Sequence, residues 1–194
     1  MNKQISATTP KGNSTRDRII AAARKKLIEE GIEQFALREL ADALEIKLSN
    51  LQYYFKTREA LVLHVLEVEA ERDRAIVKSL QSASEDSSQT FRAIVRELTT
   101  RWRGESGVLF STLGTLAIHN SEYKKLYRSI YANFYEALEA PLKELNPALS
   151  DSELELRTRL ITALIDGAPM QPLVSDKQAF LQRLQTEAEV IATA

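Results

Sequence analysis

The 194-residue chain has no cysteine and only two histidines, His64 and His119. A disulfide framework, thiol chemistry and cysteine-ligated zinc or iron–sulfur centres are excluded, and a histidine-rich metal site with them. Six glycines and five prolines are few, and no stretch alternates apolar and polar residues as a half-buried strand would. Long apolar runs are missing. Residues 1–15 are polar, so neither a signal peptide nor a membrane span is expected there, and the expected compartment is the cytoplasm. An excess of either charge is missing too, with 26 Lys and Arg against 27 Asp and Glu. A nucleic-acid protein usually shows a basic footprint, and the near-neutral total conceals one. Residues 1–58 hold 11 Lys and Arg against 7 Asp and Glu, whereas residues 59–194 hold 15 against 20.

What is present is helical spacing. Apolar residues recur at three and four throughout, which predicts an all-α protein of nine or ten helices after a mobile arm over 1–14. The first helix is expected over 16–30, with Ser14 or Thr15 as N-cap and Gly31 as C-cap glycine. Two short helices follow over 37–44 and 48–54. A long one starts after Thr57, whose hydroxyl can cap it. The polar run over 81–90 reads as a loop. Gly104 and Gly107 interrupt the next pattern, so a helix is expected over 108–119. Further helices are expected over 123–145, kinked or shortened by Pro141, then over 151–168 and 176–191. The charged run over 67–74 reads as a solvated helix face.

The segment 37–56, LRELADALEIKLSNLQYYFK, is the informative one. Two short helices with a three-residue joint hold a fixed crossing only through a specific buried set. Leu40, Ala41 and Leu44 supply it on the first helix, Ile46 in the turn, and Leu51 and Tyr54 on the second, with Ala41 small enough for close crossing. That is the pattern of a helix-turn-helix, whose second helix enters the major groove. Its outward residues suit the task. Asn50 and Gln52 can each pair with an adenine edge, and Leu48 can meet a thymine methyl. Lys47, Ser49, Tyr53, Lys56 and Arg38 suit phosphates or the groove edge. Thr57 offers a hydroxyl and free N–H groups at a helix start.

The same segment resembles the DNA-binding domain of the TetR family of transcriptional regulators, on Gly31, Leu37-Arg38-Glu39-Leu40-Ala41, Leu51-Gln52-Tyr53-Tyr54-Phe55 and Lys56-Thr57-Arg58-Glu59-Ala60-Leu61. The match covers about residues 16–66, and Ile165-Asp166-Gly167 resembles a segment of the family's penultimate helix. Three positions depart from the pattern. Glu45 stands at the turn glycine, Phe35-Ala36 replaces the threonine that caps the second helix, and Gln52 replaces an aromatic residue.

The resemblance implies an N-terminal three-helix DNA-binding domain over 15–58 and a larger helical ligand-binding and dimerisation domain over 59–194. It implies a microbial, homodimeric, ligand-responsive regulator, read as a repressor, that binds a near-palindromic double-stranded operator and is released by a small apolar or aromatic effector. No cofactor, metal, catalytic constellation or membrane partner is expected. The dimer stripes implied are Leu126, Ile130, Phe134 and Leu138 on one helix and Leu154, Ile161, Leu164 and Ile165 on the next. The effector liners implied are Leu98, Trp102, Phe110, Leu113, Leu116, Tyr127, Phe134 and Met170. Periodicity does not separate pocket from core, and Trp102, His64 and His119 each also suit an ordinary helix position. An all-helical small-molecule-binding protein or enzyme that has lost DNA binding, or a structural helical protein, is the alternative; the amide-bearing face from Lys47 to Lys56 favours the regulator.

Overall fold

A computed structural model describes residues 10–168 and 178–194, with the backbone alone at 10–13 and 178. The described residues form nine α-helices: α1 (Pro10–Glu30), α2 (Leu37–Ala43), α3 (Leu48–Tyr54), α4 (Arg58–Ala83), α5 (Ser87–Trp102), α6 (Glu105–His119), α7 (Ser121–Leu145), α8 (Asp151–Gly167) and α9 (Gln178–Thr193). The chain is therefore all-α. It divides into two compact units, up to Leu66 and from Glu67 onward, so the boundary falls inside α4.

The first unit is built on Ile19, Ala23, Leu27, Phe35, Leu40, Ala41, Leu51, Phe55, Leu61 and Val62, all buried. Gly31 ends α1 at φ 80°, the left-handed conformation that glycine adopts freely. The α2–α3 turn closes as a Schellman motif: the Ile46 N–H donates to Ala41 O (3.0 Å) and the Glu45 N–H to Asp42 O (3.0 Å). Glu45 carries that turn at φ 55°. As the Phe35-Ala36 departure implies, no side chain caps α2 at Ala36. The start of α4 is tied to the same unit. Arg58 donates to Phe35 O (2.7 Å) and Ile32 O, and the Arg16 guanidinium meets the His64 ring at 2.8 Å and lies over Phe55.

In the second unit α7 packs against α5, α6, α8 and α9, α8 also against α5 and α9, and α5 against α6 and α9. Phe91, Ile94, Leu98, Leu113, Leu138, Leu142, Ile161 and Ile165 fill the middle.

Several expectations are corrected. Helix α1 begins at Pro10, so residues 10–14 are not an arm, and Ser14 and Thr15 lie within the helix. Proline suits a first helical position because its missing N–H would be unpaired there anyway. Most of the polar run over 81–90 is helical; Asp86 caps α5 by accepting from the Ser88 N–H (2.9 Å) and the Gln89 N–H (3.2 Å). Helix α6 starts at Glu105, with Gly107 inside it and buried. Helix α7 ends at Leu145 as expected, with Pro141 buried inside it, so the proline does not shorten the helix. The carbonyl of Ala137, four residues earlier, loses its usual N–H partner to the proline and accepts instead from Gln81 Nε2 at 3.5 Å. The run over 67–74 is a solvated face only in part: Glu67, Glu71, Arg72 and Arg74 are exposed, whereas Glu69 and Asp73 are buried at 1% and 0% exposure.

Candidate functional site

The recognition face of the first unit follows from which side of α3 is inward. Leu51 is fully buried and Tyr54 half-buried. The rest of the seven-residue helix must therefore face out. Asn50, Gln52 and Ser49 are exposed, flanked by exposed Lys47 and Lys56, and Leu48 is half-buried. Tyr53 is 76% exposed, with its ring edge-on to Tyr54 at 5.2 Å. No folding role is evident for an aromatic ring left so open, which suits it to an outside partner. Arg38 on α2 and Thr57 before α4 are exposed as well. The Thr57 Oγ1 accepts from the Ala60 N–H at 3.1 Å, leaving its own hydrogen free to donate. All nine residues singled out for DNA are thus on or near the surface of one unit. Arg58 and Arg16 were not singled out, and they hold that surface together from behind.

The second unit contains a cavity of about 180 Å³ lined by Trp102, Gly107, Phe110, Ser111, Gly114, Tyr127, Tyr131 and Asp166. Gly107, Phe110, Ser111 and Gly114 fall at i, i+3, i+4 and i+7 of α6, one helix face, and the two glycines keep that face hollow. Trp102 packs against Phe110 at 5.0 Å and Phe134 at 5.1 Å. Tyr127 lies against Tyr131 at 4.5 Å. The Tyr131 hydroxyl donates to Asp166 Oδ2 at 2.8 Å. Burial pushes the Asp166 carboxyl up to about 6, against the lowering effect of that hydrogen bond. Burial and the neighbouring carboxylate push the Tyr131 phenol further above its usual range.

Of the expected liners, Trp102, Phe110 and Tyr127 do face this cavity. Leu98 and Leu113 are core at 2% and 0% exposure, and Leu116 is half-buried off the cavity. Phe134 opens instead on a cleft of about 340 Å³ that Arg74, Lys78, Gln81 and Glu136 also line. Charged and amide side chains line much of that cleft, whereas the smaller cavity is mostly aromatic and is where three of the expected liners meet. Met170 lies outside the described residues. Tyr131 and Asp166 were missed as liners.

Behind Trp102 is a charged cluster on α4. The Trp102 indole N–H donates to Asp73 Oδ2 at 2.9 Å, and Arg101 Nε donates to Asp73 Oδ1 at 2.7 Å. Ser106 Oγ donates to Glu69 Oε1 at 2.6 Å. A buried carboxylate without partners costs several kcal/mol, and these partners offset that. Burial still pushes the Asp73 carboxyl up, with Trp102 and Arg101 pulling it back. Among the described residues no group of three His, Asp or Glu side chains comes together as a metal ion would need, and no helix is long and apolar enough to cross a membrane.

The expected dimer stripes lie largely inward. Ile130, Leu138, Ile161 and Ile165 are buried in the chain's own core, and Leu126, Leu154 and Leu164 are half-buried. The large apolar residues left open on α8 are Leu156 and Leu160, at 51% and 48% exposure.

Residues 19–65 match the family model of bacterial regulatory proteins, tetR family. Over 167 residues, 81% of this chain and 79% of the relative, the sequence is 27% identical to an uncharacterized HTH-type transcriptional regulator in the dhlA 5′ region of Xanthobacter autotrophicus. The fold is similar to that of a TetR transcription regulator from Haloarcula marismortui, with TM-score 0.78 and 19% identity over 93% of this chain and 97% of that one. It is also similar to a putative transcriptional regulator from Saccharomonospora viridis in complex with choline, with TM-score 0.76 and 15% identity over 92% and 95% of the two chains.

Proposed function

We propose, from the chain's membership of the tetR family of bacterial regulatory proteins, that this transcriptional regulator is a homodimeric repressor that releases a near-palindromic operator when a small molecule fills its second unit. The observation that supports it best is the row of exposed amides on α3 between Lys47 and Lys56, on a helix whose other side is locked by Leu51. In the major groove Asn50 and Gln52 pair with adenine edges and Leu48 meets a thymine methyl. Arg38, Lys47, Ser49, Tyr53, Lys56 and Thr57 hold phosphates and so fix the register.

Residues 15–58 then read DNA, and residues 59–194 sense and dimerise. A closed two-fold dimer presents two such helices to successive major grooves, and the open Leu156 and Leu160 supply the partner face on α8. The Saccharomonospora viridis protein is in complex with choline, which supports a small-molecule effector in a fold of this kind. A ligand in the aromatic cavity presses on Trp102, and the Trp102 N–H holds Asp73 on α4. That helix begins at Arg58, just after the reading face. Differential binding of this kind shifts operator affinity by about 1 to 3 kcal/mol.

The test is a duplex selected from a random pool on the full chain, then titrated by anisotropy at several salt concentrations. A selected consensus with two-fold symmetry, and affinity falling steeply with salt, is the expected result. Failure to enrich any sequence would overturn the reading in favour of a binding protein without an operator.

A further inference from the structure

We propose that the cavity takes a compact methylated ammonium ion, with the Trp102, Phe110, Tyr127 and Tyr131 rings around it and Asp166 as its counter-charge. The inference rests on the sensing role proposed for the second unit and names the ligand chemistry. Three features point to it. The first is the rings. Four aromatic side chains from α5, α6 and α7 meet at one cavity, and aromatic faces attract cations. Trp102 has its polar edge engaged elsewhere, by Asp73, so what it offers the cavity is its ring. The second is charge. Among the described residues Asp166 is the one charged side chain in the lining, which there holds no Lys, Arg or His. An anion would meet that carboxylate without compensation, and a purely apolar ligand would strip water from it and return nothing. The third is size. About 180 Å³ is the share of roughly six water molecules, below the usual volume for drug-sized ligands. A methylated ammonium needs no hydrogen-bond acceptors beyond its counter-ion. That fits a lining whose tyrosine hydroxyl at 131 is already given to Asp166.

Burial sets the Asp166 carboxyl near 6, so it is ionised at neutral pH, and a bound cation would hold it lower.

Trp102 is the only tryptophan of the chain, so its fluorescence reads cavity occupancy without reference to DNA. The full chain at pH 7.5 is titrated with tetramethylammonium chloride, with tert-butanol as an uncharged compound of similar bulk and with sodium chloride as the ionic control. The expected result is a saturable change with tetramethylammonium and at least tenfold weaker binding of tert-butanol. Asp166→Asn, which keeps shape and removes charge, is expected to weaken tetramethylammonium about tenfold and leave tert-butanol unchanged. Tyr127→Leu, which keeps the carboxylate and removes a ring, is expected to weaken it as well. Equal binding of tert-butanol, a response no larger than that to sodium chloride, or an unaffected Asp166→Asn variant would each overturn the proposal. Operator binding measured on the same samples separates the two readings. Operator binding without tetramethylammonium binding removes the cation and spares the regulator, whereas tetramethylammonium binding with no operator for the chain does the reverse.

Discussion

Two residues occupy conformations or environments their chemistry disfavours. Glu45 sits at φ 55° in the α2–α3 turn, where a non-glycine residue costs about 1 kcal/mol. It persists because Ile46 and Leu44 fix the turn on both sides, and it was legible in the sequence as a glutamate where the family has glycine. Asp166 is a carboxyl held near 6 by burial. Its folded value lies above its unfolded one, so the native state binds more protons between about pH 4 and 6. Its favourable contribution is full below that window and lost as pH rises through 6. Without ligand, Asp166→Asn is therefore expected to be more stable than wild type at pH 7.5, by up to about 3 kcal/mol. The gap should close by pH 4. Thermal unfolding of both proteins across this range checks it, and a gap independent of pH would mean that the carboxyl is not perturbed in solution.

At the scale of elements, α3 and the cavity differ in how they are encoded. The reading face of α3 arises within twenty residues, from one helix whose inner side is named by Leu51 and Tyr54, so alternation of inward and outward positions reveals it. For that face the residues should divide by role. Gln52→Ala is expected to lower operator affinity by about 1 to 3 kcal/mol and to flatten the preference at one base pair. Lys56→Ala should weaken all duplexes alike and reduce the salt slope by about one ion. Ranking a panel of operator variants by anisotropy tells these apart; identical rankings for Gln52→Ala and wild type would remove Gln52 from base reading. The cavity draws on α5, α6, α7 and α8. Periodicity shows which face of a helix turns inward and not where the inside is hollow, so Leu98 and Leu113 looked the same as Phe110. The charged run on α4 misled for a related reason. What buries Glu69 and Asp73 is Arg101, Trp102 and Ser106, about thirty residues further along the chain. Trp102→Phe, which keeps the ring and removes the indole N–H, leaves Asp73 one donor short. It should cost about 1 to 3 kcal/mol of stability, read by urea unfolding, and should blunt effector-induced operator release more than effector binding. Equal losses in both would make the Trp102–Asp73 bond merely structural.

At the scale of the whole molecule, the neutral total of charge is an average over a basic reading head and a more acidic remainder. The salt dependence of operator binding should therefore follow the head and not the net charge of −1. Doubling the head doubles the number of phosphates neutralised, so the slope of log affinity against log salt should be that of two α3 faces acting together. The pairing of heads proposed above needs a partner surface, and we propose the outer face of α8 for it, where Leu156 and Leu160 stay open. Leu156 and Leu160 lie one helical turn apart on that face. Together they expose apolar area that a lone chain gains nothing by presenting. Replacing both by glutamate places like charges against each other across the two-fold axis. The double variant Leu156→Glu, Leu160→Glu is expected to keep its helical signal and unfolding transition, because neither side chain is in the core. It should sediment as a single chain where the wild type sediments as two. Its operator affinity should fall by a hundredfold or more, since the second half-site no longer adds its binding free energy, and its salt slope should drop to about half. Sedimentation velocity and anisotropy on one preparation measure all three quantities. An undiminished dimer would move the partner face off α8. A monomer with full operator affinity and an unchanged slope would show that one α3 helix reads the whole site.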